Sequence, residues 1–258
     1  MTIDKFKCRM QARSAALLLS IEGRLDRILQ FWLLLAGLAC AARIATAPVE
    51  AGATNFGTIA PYLLLILAPF ASTVLALRWF ADGDRQSQPG TRLALLGRWR
   101  SVDALEARRH PLYGTSGIMV SLLVGMMLNV PVRAAEYLAA MPPIPQVAPP
   151  WLSALQLAMT FDVVLFSSLY MVAFVAALRR VPLFPRLLAA IWICDLAMQL
   201  VIAQWVVGAG GLPAPVAGAL HGLLDGNVKK VLISVALWLP YLLLSARVNV
   251  TYRSRLPA

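Results

Sequence analysis

The sequence predicts an all-α polytopic membrane bundle of six transmembrane helices, and three observations carry that prediction. Of its 258 residues, 60% are hydrophobic and only 14% are charged, against about a quarter charged in a typical soluble domain. The apolar residues gather into runs long enough to cross about 30 Å of hydrocarbon. The basic residues fall almost wholly into alternate connections between those runs.

The predicted spans lie near 28–47, 59–79, 112–138, 152–178, 187–208 and 228–247. Residues 44–77 contain no Lys or Arg, and 112–132 contain no charge, which fixes the second and third spans. The first and last have shorter charge-free runs, 28–42 and 231–246. Arg43, Lys229 and Lys230 must therefore snorkel outward or find buried partners.

Nineteen of the 23 Lys and Arg residues lie in 1–27, 78–109, 179–186 and the tail from Arg247. The other connections and span ends hold only Arg43, Arg133, Lys229 and Lys230. Loops rich in Lys and Arg stay cytoplasmic, so both termini are expected inside. The chain reads as one membrane domain over 1–258, with an amphipathic cytoplasmic segment 1–27 and a cytoplasmic loop 80–111 that carries an interfacial helix. A net charge of +11 would suit nucleic acid, but its confinement between apolar segments argues for the bilayer as the partner and against nucleic acid.

Leu17, Leu18, Ile21, Leu25, Ile28 and Leu29 share one helical face of the first segment. Leu93, Leu96, Trp99 and Leu105 do so in the loop, where Ser101 is placed to cap a helix over 102–109 and Pro111 to stop it. These helices are expected to lie on the membrane surface or to dock a membrane-protein partner. The outer connector Met141–Pro150 is proline-rich, uncharged and expected to be a stiff link. The run Ala15–Ile21 leads straight into charge, so no cleaved signal is expected.

Cys8, Cys40 and Cys194 form no spaced pair, and His110 and His221 fall between the predicted spans. No disulfide, metal site, haem or other cofactor is expected.

The chain ends in Trp238-Leu-Pro240-Tyr241, followed by Ser245-Ala-Arg247-Val248 and Thr251-Tyr252. This stretch resembles the close of bacterial membrane proteins in domain-of-unknown-function family 2569, over about 17 residues. The resemblance implies a multi-spanning inner-membrane protein and brings no activity with it. Physically, Pro240 should kink the last span, Trp238 and Tyr241 should near the interface, and Arg247 should meet headgroups.

Candidate site residues follow from depth. At 1.5 Å per residue, Arg43 and Asp162 stand about 24 Å above the inner boundary, and Asn129 and Lys230 about 26 Å. Arg133 and Glu136, an i,i+3 pair, lie slightly above. Arg43, Asn129, Arg133, Glu136, Asp162, Lys229 and Lys230 are thus expected to form one polar layer with a cationic surplus, and Arg43 or Lys230 to pair Asp162. Asp195 falls about 12 Å up, level with Tyr170 and one turn from Gln199, as an intramembrane acid suited to proton coupling. An aspartyl dyad is not expected at the resulting separation of about 12 Å, and no enzyme is expected. An accessory or scaffold subunit is the first expectation. A binding or transport protein for a small anionic solute or lipid, through an outward-facing pocket, is the alternative.

Overall fold

The computed structural model describes residues 2–46, 56–90, 98–144 and 148–258, with side chains from residue 12 onward. Six of its helices are long and apolar enough to cross a membrane. They are α2 (Leu25–Ala45), α3 (Phe56–Trp79), α5 (Ile118–Ala140), α6 (Pro150–Leu178), α7 (Phe184–Gly208) and α8 (Ala214–Leu244). Three further helices flank them: α1 (Thr2–Gly23), α4 (Ala104–Arg109) and α9 (Ala246–Arg253).

α6 is the hub, packing against α3, α5 and α7, while α8 leans chiefly on α7. Its run Ala173–Ala177 explains this position. Four of those five side chains are alanine or valine and one is Phe174, and all are fully buried, because small side chains let neighbouring helices approach closely. Large apolar side chains point the other way on the outer helices: Phe31, Leu34, Ile193, Leu200, Ile233 and Leu237 are all exposed. On a soluble protein so much apolar surface would aggregate, whereas here it matches the hydrocarbon.

α1 and α2 meet at a break at Arg24. Leu18, Ile21, Leu25 and Leu29 are buried as one continuous stripe, and Leu17 is exposed beside it. The Gly117 amide donates to Ser14 Oγ at 2.9 Å, which ties α1 to the start of α5.

Several expected boundaries move. The helix expected over 102–109 starts later, and Asp103, not Ser101, accepts the first amide, from Ala104 at 2.7 Å. Trp99 and Ser101 belong instead to a short strand β1 (Trp99–Ser101), antiparallel to β2 (Arg255–Pro257). The expected partners Leu93 and Leu96 lie outside the described residues. The last span begins at Ala214, so His221 is inside a helix and the two lysines are near its middle. The connector 141–150 is also more than a link. Met141 and Ile144 are buried, and their carbonyls accept from Tyr62 Oη at 3.4 Å and Thr58 Oγ1 at 3.2 Å. Cys40 and Cys194 are free thiols, and the side chain of Cys8 is outside the described residues.

The C-terminal motif folds inward. After Ser245 the chain turns into α9, where Val248, Asn249, Val250 and Tyr252 are fully buried. Arg247 does not reach for headgroups. Its Nη1 donates to the carbonyls of Leu112 and Gly114 and to Ser116 Oγ at 2.9 Å. Thr251 Oγ1 accepts from the Gly114 amide at 3.0 Å and donates back to its carbonyl. These bonds hold an open loop before α5, in which Gly114 and Gly117 take φ of 106° and 75°, values open to glycine at no steric cost. The third span therefore starts at Ile118 and not near 112. Tyr252 Oη donates to the Ala177 carbonyl at 2.9 Å, and its ring tilts on Phe184 at 5.0 Å. Burial pushes that phenol well above its ordinary pKa, so it stays a donor.

Arg247→Met should lower the stability of the detergent-solubilised protein by about 2 kcal/mol, the worth of hydrogen bonds from one charged group. Thermal unfolding measures it. A residue that only touched headgroups would leave the unfolding temperature in detergent unchanged.

Candidate polar site within the bundle

Arg133 sits four helical turns into α5, where an isolated cation is costly and needs partners. It finds them on two other helices. Nη1 meets Asp162 Oδ2 of α6 at 3.1 Å, and Nη2 bonds Asp195 Oδ2 of α7. Nε donates to Asn129 Oδ1, one turn below on α5, at 3.0 Å. The guanidinium also lies over the rings of Phe166 and Tyr170, at 5.1 and 5.7 Å to their centroids. The planar fork allows this, because it presents several donors in fixed directions. A lysine could not serve all these partners at once.

Both carboxylates are completed by neutral donors. Tyr170 Oη donates to Asp195 Oδ2 at 3.1 Å. Gln199 Nε2 donates to Asp162 Oδ1 at 3.2 Å and also lies near the carboxylate and carbonyl of Asp195. Asn227 of α8 donates to Gln199 Oε1 at 3.2 Å. Asp195 is wholly buried and Asp162 is 4% exposed.

A second ion pair, Lys230 with Glu136, joins α8 to α5 next to this cluster. Lys230 also donates to Asn227 Oδ1 at 3.4 Å. Both members are considerably more open than the Arg133 group.

Beside them is a half-open cavity of about 510 Å³ between α5, α6 and α8. Arg133, Glu136, Asp162, Asn227 and Lys230 form its polar end. Tyr137, Met159, Val163 and Leu223 form its apolar wall. Tyr137 is itself fixed by a 2.8 Å hydrogen bond with Thr160 and an edge contact with Tyr62.

The structure gathers five of the seven residues of the expected layer: Asn129, Arg133, Glu136, Asp162 and Lys230. It adds Asp195, which was expected one layer deeper. It leaves out two. Lys229 points away and pairs with Asp225 on its own helix at 2.6 Å, since adjacent helical residues are turned about 100° apart. Arg43 lies on the last turn of α2, and its Nε is buried without a hydrogen-bond partner among the described residues. Arg133, and not Arg43 or Lys230, is the cation that Asp162 recruits.

The sign of the site changes as a result. Two cations, Arg133 and Lys230, stand against three carboxylates, Asp162, Asp195 and Glu136. The surplus is anionic, not cationic. The estimate of about 12 Å between the two aspartates in height also fails as a separation, since one guanidinium reaches both. No group of three or more metal-ligating side chains is found among the described residues. No family model matches the chain, and neither curated proteins nor solved structures give a match to it.

Asp195→Asn should destabilise the protein more than Asp162→Asn. Asp195 has no solvent contact and Tyr170 also depends on it, whereas Asp162 borders a cavity that can admit water. Losing one partner of a buried pair costs about 3–5 kcal/mol, and thermal unfolding of the two purified variants should show that scale for Asp195→Asn alone. Equal losses would mean that the two carboxylates are equivalent.

Proposed function

We propose that this chain is a multi-pass protein of the bacterial inner membrane that binds a small amphipathic cation in the cavity between α5, α6 and α8. The observation that carries the reading is the cavity itself, with an excess carboxylate at its polar end. Arg133 is already matched by Asp195, so Asp162 presents a second negative charge to the space. Much of the remaining lining is apolar, with Met159, Val163 and Leu223 beside Tyr137, and suits a hydrocarbon body. A ligand with a positive head and a short hydrocarbon body fits both ends. An anionic solute would find no free cation there, since Arg133 and Lys230 each hold a carboxylate.

The basic residues in 1–27, 78–109, 179–186 and the tail support an orientation with both termini in the cytoplasm. The cavity would then open toward the outer side. Membership in domain-of-unknown-function family 2569 rests on the C-terminal motif alone.

A second reading, the accessory or scaffold subunit, has its own support. Every cation of the cluster is paired, as it would be if the charges only fixed helix register.

Hexyltrimethylammonium, hexanoate and hexanol share one body and differ in head charge. Binding of each to the purified protein in detergent can be followed by the shift in unfolding temperature. The quaternary cation should stabilise the protein and hexanoate should not. Asp162→Asn should stay folded and weaken the cation by about tenfold, or roughly 1.4 kcal/mol. If the cation gives no shift and Asp162→Asn unfolds, the scaffold reading replaces this one.

A further inference from the structure

The cavity does not end at the ion pair. A void of about 40 Å³ adjoins it, lined by four of the same residues, Arg133, Glu136, Asn227 and Lys230. A third, of about 90 Å³, shares Asn129, Tyr170 and Ser234 with the second. The three spaces run in series along the seam between α5 and α8.

Their reach can be measured along the helices. On α5 the series starts at Ala140 and ends at Leu122, and on α8 it runs from Gly222 to Trp238. Eighteen residues of helix rise about 27 Å and sixteen about 24 Å, close to the thickness of the hydrocarbon layer. Polar groups recur throughout: Asn227 at the wide end, Asn129 and Tyr170 midway, and Ser234 beyond. α8, which forms one wall, is the least buried of the six spans.

We propose that the α5–α8 seam is a translocation path for the same amphipathic cation, closed in this conformation beneath the Glu136–Lys230 pair. The proposal rests on the binding reading above and extends it from binding to transport. The first cavity receives the solute. The Glu136–Lys230 bond and the tight void under it bar the way, and movement of α8 away from α5 would part the pair and join the spaces. Glu136 and Asp162 can receive the cation as Lys230 withdraws, so negative charge lines the route at its narrowest point.

Gly125 provides the test. It lines the third void, far from the binding cavity, and a Cβ built there meets nothing within 4 Å. Gly125→Leu therefore fills the path without a clash at its first atom, and leucine suits a helix better than glycine. Ser234→Leu narrows the same void from α8.

The full chain is reconstituted in vesicles of phosphatidylethanolamine and phosphatidylglycerol, and uptake of hexyltrimethylammonium is followed. This permanent cation cannot cross as a neutral base. Binding of the same probe is measured separately in detergent. Wild-type protein should bind and transport it. Gly125→Leu and Ser234→Leu should bind normally but transport at least about tenfold more slowly, a barrier increase of about 1.4 kcal/mol. Gly125→Ala, too small to fill the void, should keep transport close to wild type. Binding without any wild-type uptake overturns the path and leaves the binding reading standing. Undiminished uptake in both leucine variants also overturns the path. Failure of the wild type to bind the probe overturns the reading on which the path rests.

Discussion

Arg133 cannot be left alone at its depth in the bundle, and that constraint organises the three helices around it. A guanidinium buried among apolar helices is tolerated only where opposite charge and hydrogen bonds replace water. Here the replacement comes from α6 through Asp162, from α7 through Asp195, and from its own helix through Asn129. Satisfying those carboxylates calls in Gln199 and Tyr170, and satisfying Gln199 calls in Asn227 on α8. The relative rotation of α5, α6 and α7 is set by this network more sharply than apolar packing alone could set it. Lipid-facing leucines are interchangeable between neighbouring turns, but a forked donor and two short carboxylates are not.

The same network explains why α8 stands apart. It touches the cluster only through Asn227 and Lys230, and its ion pair with Glu136 is partly open. Between α5 and α8, side chains bridge a gap that close helix contact would otherwise have closed, and the cavity is that gap. Gly222 and Gly226 face it from α8 and leave it unfilled. The polar core is thus tight on three helices and loose on the fourth.

The six spans were legible because hydropathy and the placement of Lys and Arg are strong signals. Arg133, Asn129, Glu136, Asp162 and Lys230 were legible as one layer because helix rise converts residue number into height. Rotation about the helix axis was not legible from height. Lys229 and Lys230 differ by only about 1.5 Å in depth, yet only Lys230 faces α5. Arg43 has the right height on the wrong helix. Asp195 was placed too low for two reasons. α7 begins at Phe184, three residues before the expected start, which raises it by about 4.5 Å. The length of the arginine side chain also bridges what remains. Asn227 was missed because the last span was started at 228, one residue beyond it. The strand pair and the inward turn of α9 left no periodic signal, since each is shorter than one window of hydropathy.

If Arg133 is the group to which the other charges answer, removing it alone should be worse than removing the whole cluster. Thermal unfolding in one detergent can compare Arg133→Leu with the triple variant Arg133→Leu, Asp162→Asn, Asp195→Asn. The single variant leaves two buried carboxylates without their cation and should lose roughly 3–5 kcal/mol. The triple variant should recover a large part of that loss. If the triple variant is no more stable than Arg133→Leu, the carboxylates do not depend on Arg133, and the fold is held by packing that owes nothing to the cluster.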